Sequence, residues 1–176
     1  MTASSSLTRG LLFALFCVLP TAASAQDAPK AGLVITSSSS VGILWHASER
    51  VALRPEIGYT QARVTNSEID AESNQRNVAA GFSLLFYTGP REDVRFYWSP
   101  RYVYSRSSSN SSSFVGDSES VLTTHTVSLS VGAQYDAQER FGVFGELGGF
   151  LNRSTPGANA NHNWGIRAVV GAIVTF

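Results

Sequence analysis

The chain is 176 residues long, 43% hydrophobic and only 15% charged, with thirteen cations set against thirteen acids. That balance excludes the basic footprint of a nucleic-acid-binding protein, and the length beyond an N-terminal leader suits a single domain. The one cysteine, Cys17, lies in the leader, so the rest of the chain forms no disulfide and no thiolate metal site.

Residues 1–25 form the leader. A polar start with Arg9 precedes an apolar run from Leu11 to Leu19, then Pro20 and the small residues Ala23, Ser24 and Ala25. This order reads as a secretory signal peptide cleaved before Gln26. The run is far shorter than the roughly 20 apolar residues of a spanning helix. Phe16 ahead of Cys17 is too bulky for a lipoprotein acylation site. Loss of the leader takes the formal charge from 0 to −1, because Arg9 is its only charged residue.

Residues 26–176 are expected to fold as one domain, and their hydrophobic period is two. Two short segments, Ala31–Ser37 and Val41–Ala47, come first. Next, Val51, Leu53, Pro55, Ile57 and Tyr59 alternate with Ala52, Arg54, Glu56, Gly58 and Thr60. The same split separates Val78, Ala80, Phe82, Leu84 and Phe86 from Asn77, Ala79, Gly81, Ser83 and Leu85. It recurs from Val94 to Ser105, from Val127 to Tyr135 and, least cleanly, from Phe141 to Phe150. The last segment places Trp164, Ile166, Ala168, Val170, Ala172, Val174 and Phe176 on one face. Eight strands result, an even number as in bacterial single-chain outer-membrane barrels.

Connection lengths alternate. Ser48–Arg50, Gly89–Asp93 and Asp136–Arg140 are short polar turns, whereas Thr65–Arg76, Ser107–Ser120 and Arg153–Asn163 are long and rich in Ser, Asn and Asp. The Ser-rich link at 37–40 is a short exception. Short periplasmic turns and long external loops are the asymmetry of a transmembrane barrel. The polar faces are thin in charge and rich in Gly, Ser and Ala, which suits a narrow interior better than a wetted surface, so the apolar face meets lipid. With the short turns in the periplasm, Trp45, Phe86, Phe96, Tyr135, Phe141 and Phe176 gather at one rim and Tyr59, Tyr102, Tyr104 and Trp164 toward the other, as two aromatic girdles. The fold class is therefore all-β, an eight-stranded antiparallel up-and-down transmembrane barrel.

The segments LRPEIGY, FYWSPRYVYS, RFGVFGELGGF and the closing GIRAVVGAIVTF resemble the small outer-membrane β-barrel family that includes the eight-stranded OmpX- and OmpA-type barrels. The resemblance covers nearly all of the chain after the leader, and its motifs build the barrel without specifying an activity. It implies a Gram-negative outer membrane, contact with membrane lipid and lipopolysaccharide, and a monomer. It also implies recognition of the terminal Phe176 by the barrel assembly machinery during insertion.

Six charged side chains fall on the inward register: Arg54, Glu56, Arg95, Arg101, Glu146 and Arg167. With roughly 2.4 Å of height per residue in strands tilted about 45°, Glu56 and Glu146 lie about 14 Å above the periplasmic rim, and Arg101 and Arg167 about 20 Å. Arg54, Arg101 and Arg167 are expected to pair with the two glutamates, since a buried charge without a partner costs several kcal/mol. Such a network would fill the narrow interior of an eight-stranded barrel. An ion or proton path is the alternative. Two carboxylates neutralised by arginine make poor general acid–base catalysts.

His125 raises an enzymatic alternative, because some eight-stranded barrels are lipid A deacylases with an outward His-x-Ser pair. Here Val127 stands two residues after His125, and Ser128 points inward. His46 and His162 share no metal-ligand spacing with it, and no phosphate-binding glycine loop occurs. Pro55 and Pro100 within strands suggest bulges. The loop RSSSNSSSFVGDSES reads as a solvated external loop or as an adhesive tip that contacts an extracellular surface ligand. The resulting expectation is a non-enzymatic outer-membrane protein with no cofactor and no metal. Its role would be structural or surface-interacting, with a lipid A-modifying enzyme or a narrow pore as alternatives.

Overall fold

The computed structural model describes residues 31–66, 71–88, 94–113, 116–155 and 161–176. The expected signal peptide, the turn at 89–93 and the tips of the three long hairpins lie outside the described residues. Eight strands follow in chain order: β1 (Ala31–Thr36), β2 (Ser40–His46), β3 (Val51–Asn66), β4 (Ala71–Thr88), β5 (Val94–Ser113), β6 (Gly116–Gln138), β7 (Phe141–Thr155) and β8 (Asn161–Thr175). Each is antiparallel to the next, and β8 closes the barrel on β1 through pairs from Gly32↔Thr175 to Thr36↔Gly171. Over the height of β1 and β2 closure leaves no open sheet edge, as strands surrounded by lipid require. Above them, β3 beyond Gly58 and β8 before Val170 have no strand partner on their facing sides among the described residues.

The wall is polarised as the period-two pattern requires. Leu151, Trp164, Ile166 and Val170 project outward with 63–78% of their surface exposed, whereas Arg54, Glu56, Ser83, Ser128 and Ser130 are buried inside. An apolar exterior around a polar bore reverses the arrangement of a soluble barrel and identifies the outer face as the lipid-facing one. The girdles form as expected. Phe86, Phe96, Tyr135 and Phe141 lie within three residues of the periplasmic ends of their strands, and Tyr59, Tyr102, Tyr104 and Trp164 eight to eleven residues above those ends.

Three expectations need correction. The long links are largely strand, not loop. β3 and β4 stay paired to Asn66↔Ala71, and β5 and β6 to Ser113↔Gly116. Above the membrane both faces of a ribbon meet water, so the Ser- and Asn-rich sequence loses its alternation while the backbone ladder continues. Second, neither in-strand proline makes a bulge. The β2–β3 ladder is interrupted opposite Pro55, between Gly42↔Glu56 and Trp45↔Leu53, and resumes in the same register. The β4–β5 ladder does likewise opposite Pro100, between Ser83↔Arg101 and Phe86↔Trp98. Each proline omits the hydrogen bond its nitrogen cannot donate, while pairing on its other side is unbroken. A register shift occurs instead at Asp136/Gln138, beside the β6–β7 turn.

Third, the interior is not polar throughout. Its periplasmic half contains a cluster of Val34, Leu44, Ala52, Leu85, Tyr87, Tyr97, Phe144, Val169 and Ile173. Two inward glycines make room for the rings. A Cβ on Gly132 would lie 2.6 Å from Tyr97 Cζ, and one on Gly171 would overlap the Phe144 ring. The polar side chains of the site above are packed against this apolar layer.

Candidate functional site

Charged side chains pair inside the bore at three heights. Nearest the periplasm, Arg95 of β5 meets Asp136 of β6 at 3.2 Å, and its guanidinium lies 4.5 Å from the Tyr87 ring centroid. Gln134 Nε2 donates to Asp136 Oδ1 at 2.7 Å, and Tyr87 Oη donates to Gln134 Oε1 at 2.8 Å. His46 stacks on Tyr87 with centroids 5.7 Å apart. A cavity of about 140 Å³ opens here, lined by Leu44, His46, Arg95, Gln134, Asp136 and Ile173 among others.

The middle tier is the most enclosed. Arg54 of β3 reaches across to β7, where its Nη2 donates to Glu146 Oε1 at 2.7 Å, with side chains only 3% and 1% exposed. Tyr97 Oη donates to the same carboxylate oxygen at 3.1 Å. The Arg54 guanidinium also lies 5.1 Å from the Phe144 ring centroid and donates to Ser83 Oγ at 3.4 Å. In a low-dielectric bore this charge-assisted bond is stronger than at a surface and offsets part of the desolvation of both ions, while Arg54 Nε and Glu146 Oε2 are buried without a hydrogen-bond partner among the described residues.

In the upper tier, Arg101 of β5 donates through Nε to Glu56 of β3. Ser40 Oγ donates to the other oxygen of Glu56 at 3.1 Å, and Thr36 and Ser40 hydroxyls are 2.7 Å apart, which ties the tier to the β1–β2 turn. That turn takes positive φ at Ser39.

The structure brings Arg54, Glu56, Arg101 and Glu146 together as two cross-barrel pairs. Arg167 does not join them. Its only hydrogen bond among the described residues is from Nη1 to Ser128 Oγ at 3.5 Å, and no carboxylate oxygen among them lies within the 4.0 Å of an ion pair. The expected contact rested on heights about 6 Å apart, within reach of an arginine side chain, but height does not specify angular position around the bore. Sequence reasoning missed Asp136, assigned to a turn, and the supporting Tyr87, Tyr97, Gln134 and Ser40. The inward parity of Tyr97 beside Arg95 was the available signal.

His125 is outward and exposed. Its Nδ1 is 2.8 Å from Tyr102 Oη, and Tyr104 meets its ring edge-on at 5.4 Å. Ser128 is buried on the opposite face, so the outward hydroxyl that a His-x-Ser site requires is missing. Phe176 is 78% exposed, and its N–H donates to the Ala31 carbonyl at 3.0 Å, which fixes the chain end against β1.

No family model and no curated protein matches the chain. Solved structures do. A major outer-membrane protein from Thermus thermophilus aligns with a TM-score of 0.60 at 12% identity, over 85% of this chain and all of that one. Neisserial surface protein A aligns with a TM-score of 0.52 at 16% identity, over 84% of this chain and 94% of that one. Ail, the attachment invasion locus protein of Yersinia pestis, aligns with a TM-score of 0.51 at 11% identity over the same shares. Identities this low bear on architecture and not on activity. These likenesses show the fold, an eight-stranded antiparallel barrel like those of small outer-membrane proteins.

Proposed function

We propose that the protein is a non-enzymatic outer-membrane barrel that acts at the cell surface through its projecting hairpins, with its bore plugged by the three Arg–carboxylate tiers. The observation that carries this reading is the length of the β5–β6 ribbon. Twenty consecutive residues of β5 are paired, whereas about 9–11 tilted residues cross a membrane. Roughly half of the hairpin therefore stands outside, with backbone already ordered and Ser and Asn side chains offering hydrogen bonds at little further entropic cost. Lipopolysaccharide and membrane lipid would surround the wall, an extracellular ligand would meet the ribbon, and Phe176 would serve the assembly machinery during insertion of a monomer.

Replacement of Ser107–Leu122 by an Asn-Gly turn keeps the Arg106↔Thr123 pair and removes the projection. Cells displaying this variant should lose retention on glycan-coated surfaces, whose hydroxyls match the Ser and Asn side chains of the ribbon, while the barrel stays heat-modifiable on gels. Equal retention would refute the surface role. The intact protein should show no steady conductance in planar bilayers and should leave lipid A mass unchanged. Steady current would refute the plug, and altered lipid A would refute the non-enzymatic reading.

A further inference from the structure

Arginine and histidine also occupy the outer face of the wall, at one height. Arg63, Arg76, Arg106, His125, Arg153 and His162 stand on β3 to β8 respectively, each exposed and each twelve or thirteen residues from the periplasmic end of its strand. All six have the outward parity of their strands. At about 3.3 Å per residue and a tilt near 45°, that is roughly 29 Å above the periplasmic end. The apolar band of such barrels is about 25 Å tall. The ring therefore lies where hydrocarbon gives way to headgroups.

Three further observations make the ring specific. Between the periplasmic ends of the strands and the ring, no outward side chain among the described residues carries a charge. Above it, the outward acid among residues with described side chains is Glu119, six residues beyond His125 on β6. Finally, His125, Arg153 and His162 are direct register partners, and the row beneath them is Val127, Leu151 and Trp164. Neighbouring strands are about 4.8 Å apart, so three nitrogen-bearing side chains stand along roughly 10 Å, directly over apolar side chains. A hydrogen bond with Tyr102 occupies His125 Nδ1 and leaves Nε2 as the ring's other nitrogen. Arg63 also has partners within the chain, and the other five positions suffice for the ring.

We infer that this ring binds the phosphates of the outer-leaflet glycolipid, lipid A of lipopolysaccharide, while the acyl chains lie on the apolar rows below. The inference rests on the outer-membrane reading and names the lipid partner of that wall. Arginine suits phosphate because its fork of donors matches two oxygens at once. A soluble anion would gain nothing from the apolar rows, whereas a phosphorylated lipid uses both.

The test is native mass spectrometry of the folded, full-length barrel in detergent. Bisphosphorylated lipid A, dephosphorylated lipid A, phosphatidylglycerol and inorganic phosphate are titrated separately. Bisphosphorylated lipid A should bind tightest, and R106Q and R153Q should each weaken it about fivefold. R76Q provides a third, independent position should either variant fail to fold. Equal binding of phosphorylated and dephosphorylated lipid A, equal binding of phosphatidylglycerol, or unchanged affinity in the folded variants would overturn the assignment. A barrel that does not insert into bilayers refutes the outer-membrane reading itself, whereas insertion without phosphate discrimination refutes only the ring.

Discussion

Arginines inside the barrel and arginines on its outer rim have the same chemistry and opposite surroundings. Arg54, Arg95 and Arg101 each meet a carboxylate inside the barrel. Arg106 and Arg153, exposed on the outer face, have no carboxylate within ion-pair distance among the described residues. The difference is one of strand parity. An inward arginine leaves water for a narrow cavity and is tolerable only with a partner, while an outward one above the apolar band keeps its hydration and remains available. Adjacent positions on one strand thus carry a structural requirement or a binding opportunity.

The sharpest way to break this contrast is to remove an interior acid. Glu146→Gln leaves Arg54 hydrogen-bonded but uncompensated in the most enclosed tier, and the expected loss is about 3 kcal/mol in urea unfolding from vesicles. The double variant R54M/E146L, which removes both charges, should recover to within about 1 kcal/mol of the native barrel. An unchanged midpoint for Glu146→Gln would mean that the middle tier contributes nothing to stability. R153Q on the outer face should leave the same midpoint in place.

Packing around that tier gives the next effect. Gly132→Ala pushes a methyl against the Tyr97 ring, which already donates to Glu146. Overpacking of this kind costs about 1–3 kcal/mol. Gly145 is outward with nothing within 4 Å of an added Cβ, so Gly145→Ala should leave the unfolding midpoint unchanged. Comparable losses at both positions would show that backbone effects, and not the Tyr97 contact, set the cost.

The parity of Arg54, Glu56, Arg101 and Glu146 was legible in the sequence because alternation survives wherever one face meets lipid. Partner choice was legible only in part. Height follows from counting along a strand, but angular position depends on barrel stagger, which no single strand encodes. The apolar inner cluster was hidden for a related reason. Near Leu85 and Phe144 both faces carry apolar side chains, so period-two reading cannot tell core from belt. The strand extension through Ser107–Ser113 left no trace in hydropathy, because a ribbon wet on both sides needs no alternation.

Arg167 gives the smallest effect and the finest test of how stagger assigns partners. Counting alone makes it equivalent to Arg101, yet Arg101 holds Glu56 and Arg167 touches only Ser128, at 3.5 Å. A bond that long contributes little, and its half-buried guanidinium keeps access to water. Arg167→Gln should therefore shift the unfolding midpoint by less than about 1 kcal/mol in either direction, whereas Arg101→Gln strands Glu56 with Ser40 as its remaining donor and should cost clearly more. Equal losses in the two variants would place Arg167 in the ion-pair network after all. That result would imply a bore in which Glu56 and Glu146 exchange partners among three arginines.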